Sequence, residues 1–241
     1  MTAFPLANAA VQLVVFDLMG TLIADDAIVS DAYDAALQQA GVAVGTEQFV
    51  KAQSRIVQQR GRPTLVVLTD VLGDPVVAEE ATWAFDDSIL EAVPRLQPIA
   101  GARDILASLD ADRVLTAVTT SFTPDVRKAV LAHIGWMDSF AATLSAHGTR
   151  RGHPAPDLLL GAILELRIDS VAQVAIVGDT ASDLEAGNRA GAGLVIGVRS
   201  GDASEASLLA APHTHLIDSV ADLGSVLSSP RTRGARRSSD H

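Results

Sequence analysis

Cysteine is absent from the 241 residues, which removes disulfides, zinc–thiolate centres and a thiolate nucleophile from the possible chemistries. Lysine is almost absent as well: only Lys51 and Lys128 occur, so few amines could form a Schiff base. Positive charge is scarce overall. With 18 Lys and Arg against 29 Asp and Glu, the formal charge is −11, which opposes the phosphate contacts that carry most nucleic-acid affinity. Long apolar runs are missing too; no segment reaches the roughly 18 consecutive apolar residues of a membrane span. The first residues, MTAFPLANAA, lack the basic start and apolar stretch of a secretory signal. These absences lead us to expect a soluble, cytoplasmic protein with neither a nucleic-acid nor a membrane partner. No solenoid-like repeat interrupts the chain.

What is present suits a large core, because 48% of the residues are hydrophobic. Short apolar runs at 11–16, 113–120, 171–178 and 193–198 alternate with amphipathic patterns. That alternation predicts a doubly wound α/β domain around a parallel sheet. Between the first run and about Pro98, the periodicity is helical throughout. TLVVLTDVL (64–72) is ambiguous between strand and helix and is read as helix. The expected division is therefore a Rossmann-like core from 1–24 and 99–228, a helical insertion at 25–98, and a basic, disordered tail at 229–241.

Ligand crevices of open α/β sheets form at the carboxyl ends of strands. Asp17, Thr119 and Asp179 each follow an apolar run. Asp17 alone could merely end a strand, but the glycine and threonine after it suit a tight turn beside a nucleophile or metal ligand. Ser182 and Glu185 have the spacing of a capping box, which puts Asp183 in the first turn of a helix, where its charge also suits the dipole. His213 and His215 invite a metal reading, but an i, i+2 pair in an extended segment without a third ligand is better read as structural. GNRAGAGLVIG (187–197) lacks the spacing and strand context of a dinucleotide loop. Trp83 and Phe85 are expected to pack within the insertion or against a second subunit.

In this order, FDLMGT, VTT (118–120), GHPAPD (152–157) and VGDTASD (177–183) resemble the four motifs of the haloacid dehalogenase superfamily. TTSFTPDV, GDTASDLEAGNRAGAG and PHTHLIDSVADL are similar to its phosphonatase-like branch, that of phosphonoacetaldehyde hydrolase. The resemblance covers residues 11–227. It implies a helical cap inserted after the first strand and hydrolysis of a small phosphorylated or phosphonate substrate through an aspartyl-phosphate. Asp17 would be the nucleophile, Thr119 a catalytic hydrogen-bond donor, and Gly20, Thr21 and Thr120 phosphate-binding. Asp17, the Met19 carbonyl, Asp179 and Asp183 would hold Mg²⁺, and a homodimer would be expected.

Three positions depart from that pattern. Met19 stands where related phosphatases carry a second aspartate, and a thioether cannot transfer a proton. No lysine falls at the Schiff-base position of phosphonatase; Lys51 lies some residues early, and Gln58, Arg60 and Arg62 occupy the neighbourhood. His153 replaces the usual arginine or lysine and can act for it when protonated, while Arg150 and Arg151 stand close by. The alternatives that remain are a catalytically weak or inactive binding protein and a dehalogenase-type C–halogen hydrolase.

Overall fold

The computed structural model describes residues 11–25, 27–146 and 150–228; the basic tail expected at 229–241 lies outside them. Six parallel strands form one sheet: β1 (Leu13–Phe16), β2 (Leu115–Thr120), β3 (Ala142–Ser145), β4 (Val174–Gly178), β5 (Leu194–Val198) and β6 (His215–Ile217). Their order is β3-β2-β1-β4-β5-β6. All four residues of β1 are buried, because both neighbours and both covering layers enclose them. The continuous apolar reading of this strand follows from that position.

Four helices stand between β1 and the rest of the sheet domain: α1 (Ile28–Gln39), α2 (Glu47–Gln58), α3 (Thr64–Leu72) and α4 (Pro75–Ala92). The ambiguous 64–72 run is a helix, closed by Gly73 in the left-handed conformation. Asp74 caps α4 by accepting from the Val76 and Val77 amides, with Pro75 at the first helical position. After the insertion come α5 (Ala102–Ala111), α6 (Pro124–Ile134), α7 (Asp157–Glu165), α8 (Ala181–Ala190), α9 (Glu205–Ala210) and α10 (Leu223–Ser228).

Alternation along β1 separates two apolar layers. Val14 and Phe16 join α5, α6 and the inserted helices on one face, whereas Leu13 and Val15 join α7, α8 and α9 on the other. The chain enters and leaves the insertion through a short antiparallel pair: the Ala24 amide donates to Gln97 O and the Ile99 amide to Leu22 O. The inserted helices pack back on the sheet domain through Phe85, whose ring lies 6.2 Å from that of Phe122. Trp83, by contrast, is 62% exposed. Among the described residues, no helix is long and apolar enough to cross a membrane.

Two features escaped the sequence reading. Strand β3, ATLS, is a short outer strand with little β-branched character. The capping box of α8 also lies two residues earlier than expected: Thr180, not Ser182, is the cap; its amide donates to the Asp183 carboxylate and its hydroxyl accepts from the Asp183 amide. Thr180 adopts the extended backbone that a cap requires. Ser182 instead donates to the Arg60 carbonyl, and Glu185 pairs with Arg189.

Candidate active site

The strand order reverses direction of growth between β1 and β4, the place where open sheets form a crevice. Phe16 and Val177 are register partners, so Asp17 emerges just past β1 and Asp179 just past β4. The Asp17 amide donates to Val177 O, which fixes the nucleophile candidate against the neighbouring strand. Asp183 approaches from the first turn of α8. Carboxylate oxygens of Asp17, Asp179 and Asp183 all lie within 4.8 Å of one another.

Beyond Asp17 the chain coils tightly. The Leu22 and Ile23 amides both donate to Leu18 O, and the Gly20 amide donates back to Ile23 O. Gly20 has φ +78°, and a Cβ there would land on the Asp179 carboxylate; only glycine meets both demands. Thr21 is fully buried and donates through its hydroxyl to Asp179 Oδ1 at 3.2 Å, while Ser200 donates to Gly20 O at 2.9 Å. Thus Gly20 and Thr21 brace Asp179.

Burial pushes the Asp17 carboxyl well above the usual value, and the charges of Asp183 and then Asp179 add to the effect. Asp179 is raised in the same way, by burial first and Asp183 second. At an effective dielectric of about 20, two such charges 4.8 Å apart repel by roughly 3.5 kcal/mol. Hard carboxylate oxygens grouped so closely, at a cost that no lysine or arginine ion pair among the described residues relieves, form a donor set that could bind a divalent cation. Among the described residues, this is the one His/Cys/Asp/Glu group with metal-binding spacing. His213 and His215 lie elsewhere, bonded to Ala211 O and Thr214 Oγ1.

His153 is buried, and its Nδ1 lies 2.6 Å from Asp183 Oδ1. The carboxylate accepts, so Nδ1 carries the proton. Nε2 is buried and has no hydrogen-bond partner among the described residues, so its hydrogen-bonding capacity is unused within the chain. Arg151 turns away to pair with Asp157. The two threonines that end β2 divide: Thr119 is fully buried and its hydroxyl donates to Phe16 O at 3.4 Å, while Thr120 and the following Ser121 line the open cavity.

That cavity, about 280 Å³, lies between Asp17 and Asp179 on one side and the inserted helices on the other. Val29, Ser30, Tyr33 and Asp34 face it from α1; Gln53, Ile56 and Val57 face it from α2, and Arg60 from just beyond. The sequence reading passed over most of these, although their i, i+3, i+4 and i+7 spacing marks one helical face. Burial holds the Tyr33 phenol protonated, its pKa pushed up to about 12. The turn after α2 seals the cavity edge. Ser182 donates to Arg60 O, Arg60 pairs with Asp202 at 2.9 Å, and Gly61 packs so closely on Thr180 that a Cβ would collide with it. Lys51 is turned outward, paired with Glu47 and 72% exposed.

Solved structures with the same fold include a hydrolase from Pseudomonas syringae (21% identity, 90% of this chain and 97% of that one, TM-score 0.79). A phosphonoacetaldehyde hydrolase-like protein from Oleispira antarctica matches at 21% identity over 94% and 95% of the two chains, with a TM-score of 0.77. CbbY from Rhodobacter sphaeroides, in complex with phosphate, matches at 17% over 89% and 96%, with a TM-score of 0.74. No curated protein matches in sequence. A family model described as haloacid dehalogenase-like hydrolase matches residues 11–191, a span that runs from β1 past the acidic trio to the end of α8. Motif order, sheet topology and acidic crevice agree with that match, and the chain belongs to the haloacid dehalogenase-like hydrolase family.

Proposed function

We propose that this hydrolase takes a phosphoryl group from a small phosphorylated metabolite or phosphonate onto Asp17. The reading is carried by one observation: Asp17, Asp179 and Asp183 converge within 4.8 Å, and the first two line a cavity that the inserted helices cover. These three carboxylates and the Met19 carbonyl would hold Mg²⁺. When bound, the ion offsets the repulsion between an anionic nucleophile and an anionic phosphoryl group.

A carboxylate oxygen of Asp17 attacks phosphorus, the bond from phosphorus to the leaving atom breaks, and an aspartyl-phosphate remains. Water then attacks that phosphorus, releasing inorganic phosphate and regenerating Asp17. Thr120 and Ser121 offer hydroxyl donors from the cavity wall. His153, held through Nδ1 by Asp183, has Nε2 free to meet a phosphoryl oxygen, the task assigned to an arginine or lysine in related chains. Thr119, behind the wall, supports the backbone at Phe16, directly before the nucleophile.

Met19 lines the cavity and has no proton to give. Substrates whose leaving group tolerates departure without one, or carries its own acid, are favoured on that ground. The likeness to the Oleispira protein supports a phosphonatase-like branch, yet Lys51 points outward at a different surface, so Schiff-base cleavage of a C–P bond lacks its amine. The inserted helices act as a cap in this reading, covering the site and choosing the leaving group.

The test is a panel of phosphate esters and phosphonates assayed with Mg²⁺ and with EDTA, each active compound then repeated with Asp17→Asn. Metal-dependent phosphate release that disappears in the variant is expected. Undiminished release from Asp17→Asn would overturn the mechanism. Halide release from a 2-haloacid in EDTA would instead favour a C–halogen hydrolase.

A further inference from the structure

Resting on the phosphoryl-transfer reading above, the chemistry of the cavity narrows the leaving group. Two layers of side chains face each other across α1 and α2. In the layer next to the sheet domain, Arg60 donates to Ser30 Oγ at 3.3 Å; its carbonyl and the following glycine rest on α8 and Thr180. The second layer lies one helical turn further out along α1, about 6 Å by helix rise. There Gln53 Nε2 donates to both oxygens of Asp34, at 2.9 and 3.1 Å. Tyr33, Ile56 and Val57 make the walls apolar around these layers.

Charge is unevenly distributed between the layers. Arg60 is the one cation among the described residues lining the cavity, and Asp202 already neutralises it at 2.9 Å. Asp34 is a half-buried carboxylate with no lysine or arginine at ion-pair distance among the described residues. A single amide uses only part of its acceptor capacity. Asp25 also faces the cavity, accepting the Val29 amide at 2.9 Å. A second anionic group on the substrate would therefore meet carboxylates and a spent arginine. A cationic group would meet a carboxylate that Gln53 already orients, inside an apolar wall that strengthens the pairing.

We infer that the leaving group carries an ammonium, so that the preferred substrates are short aminoalkyl phosphates, with the phosphoryl group at Asp17 and the nitrogen at Asp34. Specificity then comes from charge at the outer layer: a neutral alkyl chain of the same length fills the walls and gives Asp34 no opposite charge, and a carboxylate end is repelled.

Non-cleavable phosphonates separate this inference from the reaction itself. Binding of 3-aminopropylphosphonate, butylphosphonate and 3-phosphonopropionate to the wild-type protein with Mg²⁺ is measured by calorimetry. The amino compound is expected to bind about tenfold more tightly than the butyl compound, a difference of about 1.4 kcal/mol, and the carboxylate compound most weakly. In Asp34→Asn the amino-to-butyl ratio is expected to fall to within about twofold of unity, the charge pair being what sets it. Equal affinities, tighter binding of the carboxylate compound, an unchanged ratio in Asp34→Asn, or no binding by any of the three would overturn the inference. Turnover of ethanolamine phosphate, propyl phosphate and phosphoglycolate reads the reaction separately: release from all three at equal efficiency sinks the ammonium preference and leaves the phosphoryl transfer standing.

Discussion

Replacing Asp17 with asparagine should abolish the chemistry and yet stabilise the metal-free protein. Asp17 and Asp179 both have carboxyls pushed above the ordinary value of 3.8, by burial first and by their acidic neighbours second. A carboxyl raised on folding binds its proton more tightly in the folded state than in the unfolded one. Its favourable contribution is complete below the unfolded value and is lost as pH rises through the folded value. The metal-free wild type therefore bears more of the trio's repulsion at pH 8 than at pH 5. Asp17 takes part in two of the three pairs, each roughly 3.5 kcal/mol at a dielectric of about 20 if fully ionised. Residual protonation and solvent at the cavity floor reduce the sum, and a net gain of about 2 kcal/mol on removing the charge is a reasonable expectation. For a chain of this size that corresponds to about 4–8 °C in Tm. Thermal unfolding of wild type and Asp17→Asn in EDTA, at pH 8 and pH 5, measures it. The gain should be largest at pH 8 and shrink at pH 5, where the wild-type carboxyls take up protons. Adding Mg²⁺ at pH 8 should raise the wild type more than the variant and narrow or reverse their order. A variant less stable than wild type in EDTA at pH 8, or a gain independent of pH, would refute the electrostatic account.

Gly20→Ala should cost about 1–3 kcal/mol from its positive φ alone, and the displaced Asp179 should also weaken the Mg²⁺-induced Tm shift in the same thermal assay. Met19→Asp places a proton-transfer group beside the proposed nucleophile, Asp17, and kcat on alkyl phosphates should rise by about 10²; no rise would show that protonation of the leaving group does not limit the rate. His153→Ala leaves Asp183 buried without its imidazole partner, and a Tm loss equivalent to about 3 kcal/mol is expected, together with a higher KM for phosphate esters in steady-state kinetics.

The sheet was legible because its central strands are apolar on both faces: β1, β4 and β5 lie wholly within their predicted runs, and β2 ends where expected at Thr120. An outer strand such as β3 faces less apolar cover and carries little pattern to read. The acidic residues were legible because a carboxylate at the end of a buried strand is unusual, and the ordering of four motifs supplied the rest. Position along the chain did not reveal what each neighbour does. Ser182 and Thr180 have equally good capping chemistry, and only the extended backbone at Thr180 decides between them. Thr119 and Thr120 are adjacent and alike, yet one bonds to Phe16 and the other faces the cavity. The cavity walls were least legible. Asp34 and Gln53 are 19 residues apart on separate helices, and each reads in isolation as an ordinary solvated side chain.

The antiparallel pair through which the inserted helices join the sheet has a consequence for how such a chain can change. The Ala24–Gln97 and Ile99–Leu22 bonds hold the two ends of the insertion side by side, about 4.8 Å apart as neighbouring strands are. Seen from the sheet, everything between is a loop whose ends are already closed. Doubling the length of such a loop adds only about 0.6 kcal/mol of closure entropy, and none of that reaches the strand ends that carry Asp17 and Asp179. Helices α1 and α2 can therefore change in length while the register of β1 and β4 keeps Asp17 and Asp179 together, and the turn after α2, packed on Thr180 and Ser182, is the part of the insertion that has to stay in place.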